Sequence, residues 1–349
     1  MPAQVTTYGD ISPRTAAYVV TQFLKRGIPY MVLEKFGQVY QLPTNSTQTA
    51  KFRRYFLAGA TGSAGLVHTG SAINAFSTPV SITPLQEGVT PTGRKLSNQD
   101  YTVQLYQYGD YMTITDVVMD THEDPILNQM TEVLGESAAQ TIETIRYNVL
   151  KAGLNVFYAN GGVRTAVNTT ITLAMQRQVT TAFLRQNAKR ITNVVKSTPD
   201  YRTEPVEAAF IGLHHPDLDS DIRNMTGYIN TKQYGTVTPF ENETGSVEMV
   251  RYLNSTIFAP WADAGGAKGA MRSTSGVNAD VYPILYLARD AYGIVPLKGK
   301  SALTPMVLNP KPAPGDPLGQ RGTVGWKAWT ACVILNDAWM ARLEVAATA

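Results

Sequence analysis

One long amphipathic stretch constrains this chain more than any other part of its sequence. Asp124-Pro125 is a typical helix start, and Gly153 is the expected stop. Between them, small or apolar side chains recur at steps of three and four, the period of one helical face. These side chains are Leu127, Met130, Leu134, Ala138, Ile142, Ile145 and Val149. A helix over residues 125–152 would be about 42 Å long. A rod of this length with one apolar face needs strands packed along it, so we predict that it is a spine.

Two segments near the end of the chain are predicted to be strands that lie against this helix. Residues 326–335 and 338–345 are rich in apolar and aromatic side chains, and an Asn336-Asp337 turn separates them. Residues 281–288 are a third candidate strand, whereas the proline-rich residues 308–319 are typical of a connector.

The middle of the chain predicts a mixed α/β region. Residues 172–189 have the pattern of a helix, residues 208–213 that of a short buried strand, and residues 245–253 alternate like a strand. Residues 214–221 hold two histidines and three aspartates, a composition that suggests a metal site. Their spacing fits neither a calcium loop nor a zinc ligand set. We therefore favour a corner where a strand ends and a proline-started, acid-capped helix begins.

A polar hairpin is predicted ahead of the spine. Its legs are residues 76–82 and 101–108, and its turn-rich tip carries both signs of charge at Glu87, Arg94 and Lys95. A two-stranded hairpin by itself is only marginally stable in water. We therefore expect it to lie on a neighbouring subunit, with these three charged residues in the contact.

The first 54 residues form a basic segment. They carry a net charge of +5, which leaves −2 for the rest of the chain. Residues 15–26 predict a short helix. Further on, Lys51, Arg53 and Arg54 alternate with aromatic residues, a pattern that can stack on nucleic-acid bases. The alternative is an amphipathic strand whose cations contact a neighbouring subunit, and we favour it because so short a run makes a small electrostatic footprint.

Composition favours a protein that is buried against other chains. Hydrophobic residues make up 44% of the sequence and charged residues only 16%, against roughly 25% in ordinary soluble domains. The single cysteine, Cys332, lies in an apolar run and is expected to be a core thiol. Residues 1–10 have neither a basic start nor an apolar stretch, and no apolar run is long enough to span a membrane. We expect synthesis in a reducing cytoplasm and no membrane partner.

Catalysis is poorly supported by the sequence. No Gly-x-Ser-x-Gly elbow is present, and no Gly-x-Gly-x-x-Gly follows a strand. The glycine-rich residues 59–65 and 262–270 lack the Gly-Lys-Ser/Thr ending of a phosphate loop. The sequence therefore predicts no enzyme, no cofactor and no metal.

The order of these segments resembles the tailed-phage major capsid proteins, which have the Johnson fold, and among them most closely the podovirus-type subfamily. Several stretches carry the resemblance, and together they span most of the chain in the right order. They are residues 85–91, Tyr101 to Asp110, Met112 to Asp116, Asp124-Pro-Ile-Leu with the spine, and Gly319 to Ala328.

The resemblance implies an α+β capsid fold with an N-terminal arm, an extended E-loop hairpin, a peripheral P-domain built on the spine, and a mixed axial A-domain. The implied ranges are 1–60 for the arm, 76–112 for the E-loop, 113–160 for the first part of the P-domain with the spine at 125–152, 161–290 for the A-domain, and 291–349 for the P-domain return strands.

The implied function is that of a structural subunit which forms pentamers and hexamers and closes an icosahedral shell around double-stranded DNA. The implied partners are further copies of the chain, scaffold and portal proteins, decoration proteins, and packaged DNA bound without sequence specificity. The implied location is the virion capsid, assembled in the host cytoplasm. An encapsulin-like compartment is the alternative within this fold, and a glycan-binding or host-binding module is the alternative outside it.

Overall fold

The computed structural model describes residues 30–43, 45, 47–57, 87–90, 96–121, 126–195, 203–235, 238–297, 304–310, 312 and 316–349. Its helices are α1 (Asp116–Thr121), α2 (Ile126–Leu150), α3 (Leu173–Arg185) and α4 (Asp219–Arg223). They pack with strands into a mixed α+β architecture, as the sequence predicted.

A five-stranded sheet contains strands from both ends of the described chain. It is built from β1 (Gln38–Val39), β4 (Tyr106–Thr115), β12 (Tyr292–Pro296), β13 (Thr304–Leu308) and β14 (Arg321–Ile334). The long strand β14 is its centre, because it pairs with β4 along one edge and with β12 and β13 along the other. The predicted strand at 326–335 is confirmed, although it begins five residues earlier.

The predicted spine is confirmed as α2, which lies along β14. Leu134, Ala138 and Ile142 pack against Val324 and Trp326 of that strand. In the second half of the helix the buried face departs from the predicted stripe. Ile145 and Val149 are only half-buried, whereas the neighbouring Arg146, Tyr147 and Leu150 are buried. The apolar pattern alone therefore placed the buried face correctly only as far as Ile142.

The C-terminal end of α2 comes three residues before Gly153, the predicted stop. Backbone amides of residues 151–153 still bond to carbonyls of residues 147–150. Gly153 does not adopt a left-handed conformation, and its neighbours approach it closely. A Cβ at this position would meet the end of the Met340 side chain and lie 3.3 Å from Asp337 Oδ1.

An eight-stranded sheet forms the second layer. Its strands run in the order β5-β15-β11-β7-β10-β9-β8, and β6 pairs with β7. They are β5 (Val156–Tyr158), β6 (Ile191–Val195), β7 (Thr203–His214), β8 (Tyr228–Asn230), β9 (Glu243–Val247), β10 (Val250–Asn254), β11 (Val281–Leu287) and β15 (Met340–Ala346).

Both faces of the central strands of this sheet are covered. On one face, Val179 and Phe183 of α3 pack with Phe210 of β7. On the other face, Tyr147 and Leu150 of α2 share a cluster with residues of β7, β10 and β11. Burial on both faces explains why these strands are apolar at nearly every position.

Several sequence predictions for this sheet are confirmed, and one is wrong. The helix at 172–189 and the strands at 208–213 and 281–288 are present as α3, β7 and β11, with α3 shorter than predicted. Residues 245–253 do not form one strand, because a tight turn at Glu248-Met249 splits them into β9 and β10. Glu248 adopts φ 52 there, a conformation that the period-two pattern does not encode.

The two predicted C-terminal strands separate between the two sheets. The short 3-10 turn Asp337–Trp339 follows β14 and redirects the chain. Strand β15 then pairs with β11 and β5 and not with β14. Only Met340, its first residue, shares a cluster with the end of the spine.

Some predictions concern residues that the structure does not describe. These are the helix at 15–26, the hairpin leg at 76–82, and the helix start at Asp124-Pro125. Among the helices of the described ranges, none combines the length and the apolar character that crossing a membrane requires.

Candidate subunit-contact surfaces

A two-stranded hairpin stands apart from both larger sheets. It consists of β2 (Thr49–Leu57) and β3 (Leu96–Gln104), joined in nine antiparallel pairs. In the parts of the chain that are described, neither strand pairs with any other strand. The predicted second leg, residues 101–108, is divided at Leu105: residues 101–104 belong to β3 and pair with β2, whereas residues 106–108 belong to β4 of the five-stranded sheet.

The base of the hairpin is anchored to the body by one face. Ala50 and Leu105 are buried in a cluster with Val295 and Ala331, and Phe52 packs against that cluster. The opposite face carries Lys51, Arg53 and Tyr55 into solvent. This alternation confirms an amphipathic strand over residues 51–55, as far as the side chains are described.

Two of the predicted contact residues, Lys51 and Arg53, converge on one carboxylate that sequence reasoning missed. Arg53 lies directly opposite Asp100 in the strand pair and donates to both of its oxygens, at 2.7 and 3.0 Å. Lys51 Nζ lies 3.0 Å from Asp100 Oδ2. The hydrogen bond from Arg53, and then that from Lys51, hold the pKa of Asp100 well below its usual range. Two cations on one anion leave this face net positive.

Arg54 points the other way, toward the body. It lines a cavity of about 260 Å³ together with Tyr101 and Trp339, and its guanidinium carbon lies 6.0 Å from the Trp339 ring centroid. A cation over an aromatic ring is a favourable arrangement. Arg54 therefore helps to seat the hairpin on its own subunit.

The predicted tip residues are only partly described. Glu87 lies in an exposed turn, whereas Arg94 and Lys95 fall outside the described residues. The structure thus places Lys51 and Arg53 together, puts Arg54 on the opposite face, and brings none of them together with Glu87.

Residues 30–42, assigned from the sequence to the basic arm, are part of the body. Val32, Leu33 and Phe36 are buried in the core, and β1 pairs with β12. Lys35 Nζ lies 3.3 Å from Glu241 Oε2. Lys35, Lys51 and Arg53 thus have ion-pair partners within their own subunit. The contact of Lys51 and Arg53 with a neighbouring subunit stays a prediction.

The histidine-aspartate segment is confirmed as a strand-to-helix corner. Strand β7 ends at His214, and a 3-10 turn over Pro216–Leu218 leads into α4. His214 Nδ1 lies 2.8 Å from the His215 carbonyl oxygen, which can only accept, so Nδ1 carries the proton. Complete burial lowers the pKa of His214 to about 4. Across the described ranges, no group of three or more His, Cys, Asp and Glu side chains is arranged to hold a metal ion.

The spine helix lies on a five-stranded sheet, helices cover a second sheet, and a hairpin stands apart from both. This arrangement defines a class of shell-forming structural proteins with the tailed-phage major capsid (Johnson) fold. The family model described as phage capsid protein matches residues 99–343. The chain belongs to this family. It is a structural capsid subunit of the virion and not an enzyme, as predicted.

Solved capsid structures share the fold at low sequence identity. The capsid of Ralstonia phage GP4 is 12% identical, with a TM-score of 0.61 over 90% of this chain and 87% of that one. The cyanophage Pam1 capsid is 14% identical, with a TM-score of 0.56 over 93% of each chain. The capsid of cyanophage P-SCSP1u is 15% identical, with a TM-score of 0.54 over 91% and 89%. Among curated proteins, none matches this sequence.

Proposed function

We propose that this capsid subunit assembles with further copies of itself into pentamers and hexamers that close an icosahedral shell around double-stranded DNA. The observation that carries the proposal is the hairpin β2–β3, which contacts the body through one face and pairs with no other strand among the described residues. An exposed pair of this kind is marginal alone and presents unpaired backbone groups. A neighbouring subunit would supply the missing contact.

The proposed contact surface combines the outer face of the hairpin with its tip. Lys51 and Arg53 supply net positive charge, and Glu87, Arg94 and Lys95 supply both signs. Interfaces of this polar kind are individually weak, and closed symmetry makes them collectively stable. Arg54 is assigned to the hairpin's own anchorage and is no longer a proposed contact residue.

We retain the domain assignment as a proposal, with two changes. The E-loop range 76–112 contains β3 of the hairpin and most of β4, whereas β2, the partner of β3, lies outside it. The P-domain range 113–160 contains α2, and the A-domain range 161–290 contains most of the eight-stranded sheet. The arm is narrowed to residues 1–29, because residues 30–42 pack in the core. The P-domain return is narrowed to 291–335, because β15 belongs to the eight-stranded sheet.

The remaining partners follow from the same proposal. Scaffold, portal and decoration proteins would bind the assembled shell, and assembly would take place in the host cytoplasm. Packaged DNA would be held weakly and without sequence specificity, because DNA that is packed and ejected cannot be tethered tightly. The podovirus-type subfamily is the proposed placement within the family.

The test is assembly of the full chain, expressed alone and together with its phage scaffold. Sedimentation and negative-stain microscopy should show capsomers, shells or tubes. A monodisperse monomer at high concentration across all salt conditions would contradict the proposal. Reversing the charges of Glu87, Arg94 and Lys95 together should reduce assembly while circular dichroism shows an unchanged fold, whereas normal shells would exclude the tip as a contact.

The arm is tested by deleting residues 1–29. The shortened protein should remain folded, with the helical signal of α2 unchanged, and close shells poorly. The full-length protein should bind DNA weakly, and its affinity for DNA should fall as the salt concentration rises. This is because each phosphate that the protein neutralises releases counterions. Efficient shell formation without the arm, or tight binding to DNA at physiological salt, would overturn the proposed role of the arm.

A further inference from the structure

A basic groove lies where the spine helix ends. It has a volume of about 430 Å³, and its lining includes Lys151, Gly153, Arg164, Trp261 and Arg342. We propose that this surface, the Trp261 groove, binds a carboxylate side chain of a second copy of the chain. The inference rests on the proposed shell assembly and adds a second contact surface to it.

The charge balance of the groove favours an anion. Among the described residues, no Asp or Glu lines it. Behind it, the fully buried Glu344 accepts from Arg164 at 2.7 and 2.8 Å and from Arg342 at 2.8 Å. One carboxylate therefore faces two guanidinium groups, and the Lys151 ammonium adds a third positive charge.

The position of Lys151 is not explained by an ion pair with the described residues of its own subunit. It has no carboxylate partner within the described ranges, and it lies over the rings of Tyr147 and Trp261, at 5.3 and 6.0 Å from their centroids. The ammonium is not needed to balance the partial negative charge at the C-terminal end of the spine helix. Arg342 Nη1 already donates a hydrogen bond to the Lys151 carbonyl oxygen at that end. Its ammonium is thus held beside the groove by aromatic contacts alone.

A neutral donor lies beside these cations. Tyr147 is only 4% exposed, and its hydroxyl has no hydrogen-bond partner among the described residues. Burial raises the pKa of Tyr147 to about 12, so the group keeps its proton at neutral pH, and the charges of Arg342 and Arg164 both act on it. Tyr147 itself does not line the groove, so the donors to an entering carboxylate are the ammonium and guanidinium groups.

The geometry suits a single side chain better than nucleic acid. Arg164 covers a face of Trp261, its guanidinium carbon 3.7 Å from the ring centroid, so the ring offers poor access for base stacking. Arg342 is only 11% exposed, whereas duplex phosphates are contacted by protruding cations. The chain itself carries exposed carboxylates of the required kind at Glu87, Asp120 and Glu207, and no ion pair joins them to other described residues.

The experiment uses particles assembled from equal amounts of unlabelled and ¹⁵N-labelled full-length protein. A carbodiimide activates a carboxylate as an O-acylisourea, and the deprotonated amine of a touching lysine displaces the urea and forms an amide. Mass spectrometry then identifies the joined peptides. We expect mixed heavy–light peptides that join Lys151 to an Asp or Glu in particles and not in dissociated subunits. Particles without any such Lys151 peptide would overturn the inference but leave the proposed shell assembly intact. Failure of the wild type to assemble at all would instead overturn the proposed function.

Reversing the charge of Lys151 provides a second test. Lys151→Glu should lower particle yield by about tenfold through like-charge repulsion, and Lys151→Arg should restore it. Lys232→Glu makes the same charge change at an exposed lysine far along the chain and should assemble normally. Equal yields for Lys151→Glu and Lys232→Glu would overturn the inference. The inference would also be overturned if Lys151 were protected from acetylation in DNA-filled particles but not in empty ones, because nucleic acid would then be the occupant.

Discussion

Arg146 donates a 2.9 Å hydrogen bond to Glu143, one turn earlier on the spine helix, and both charged side chains are almost completely buried. Glu34 lies 3.6 Å from the same guanidinium nitrogen. The second carboxylate oxygen of Glu143 accepts from the backbone amide of Leu33 at 2.9 Å. A buried charge cluster thus fixes residues 33–34 on the spine.

We predict that Arg146→Met destabilises the unassembled subunit by about 3–5 kcal/mol, because it leaves two carboxylates buried without their cation. The measurement is the free energy of unfolding in urea, followed by circular dichroism. Glu143→Gln is the control: it removes one charge, keeps the side-chain size, and leaves Arg146 beside Glu34, so it should cost less. A loss below about 1 kcal/mol for Arg146→Met would contradict this role.

Two adjacent residues on the spine should respond very differently to truncation. Leu134 is fully buried against β14, whereas Val133 is 43% exposed. Leu134→Ala should cost about 2–5 kcal/mol, through lost burial and the cavity that remains. Val133→Ala should stay within about 1 kcal/mol. Thermal unfolding of the two variants side by side measures this, and equal losses would place the buried face of α2 elsewhere.

The loop that carries Trp261 depends on Gly265. A Cβ there would collide with the Val167 carbonyl oxygen and lie 2.9 Å from that of Ala279, and neither backbone atom can move cheaply. Gly265→Ala should therefore destabilise the subunit by about 1–3 kcal/mol. Gly162→Ala, with nothing within 4 Å of the added atom, is the matched control and should be nearly neutral. Unchanged unfolding of Gly265→Ala would contradict the close approach.

Stability should fall on acidification, partly through His214. Its folded pKa of about 4 lies below the ordinary histidine value of 6.5, so between pH 4 and pH 6.5 the unfolded chain binds a proton that the folded chain does not. Above pH 6.5 the contribution of His214 to the free energy of unfolding is fully present. As the pH falls from 6.5 toward 4, the free energy of unfolding decreases by up to about 3 kcal/mol.

His214→Asn tests this, because its amide can still donate toward the His215 carbonyl. The variant loses some packing at every pH, so the comparison is between slopes of unfolding free energy from pH 7 to pH 4.5. The variant's slope should be shallower than that of the wild type. Parallel slopes would show that His214 does not titrate in this window.

Local patterns in the sequence determined much of this protein. The three- and four-residue spacing from Leu134 to Ile142 predicted the spine, because one face of a helix must be apolar to pack. The alternation from Tyr101 to Leu105 predicted the strand, and Pro216 with its aspartates predicted a helix start. The capsid fold came from the resemblance of the quoted segments, in their order, to the tailed-phage major capsid family.

Tertiary structure decided which side chains meet across long sequence distances. In the sequence, Asp100 is one acid in a polar strand, and only the strand register places it opposite Arg53. Likewise, the charged residues Glu143 and Arg146 are buried on the spine because Leu33 and Glu34 pack against them. The Trp261 groove likewise combines residues from positions 151, 164, 261 and 342. Local sequence encodes backbone preference and burial period, whereas charge pairing at a distance depends on the folded path of the chain, which no short window contains.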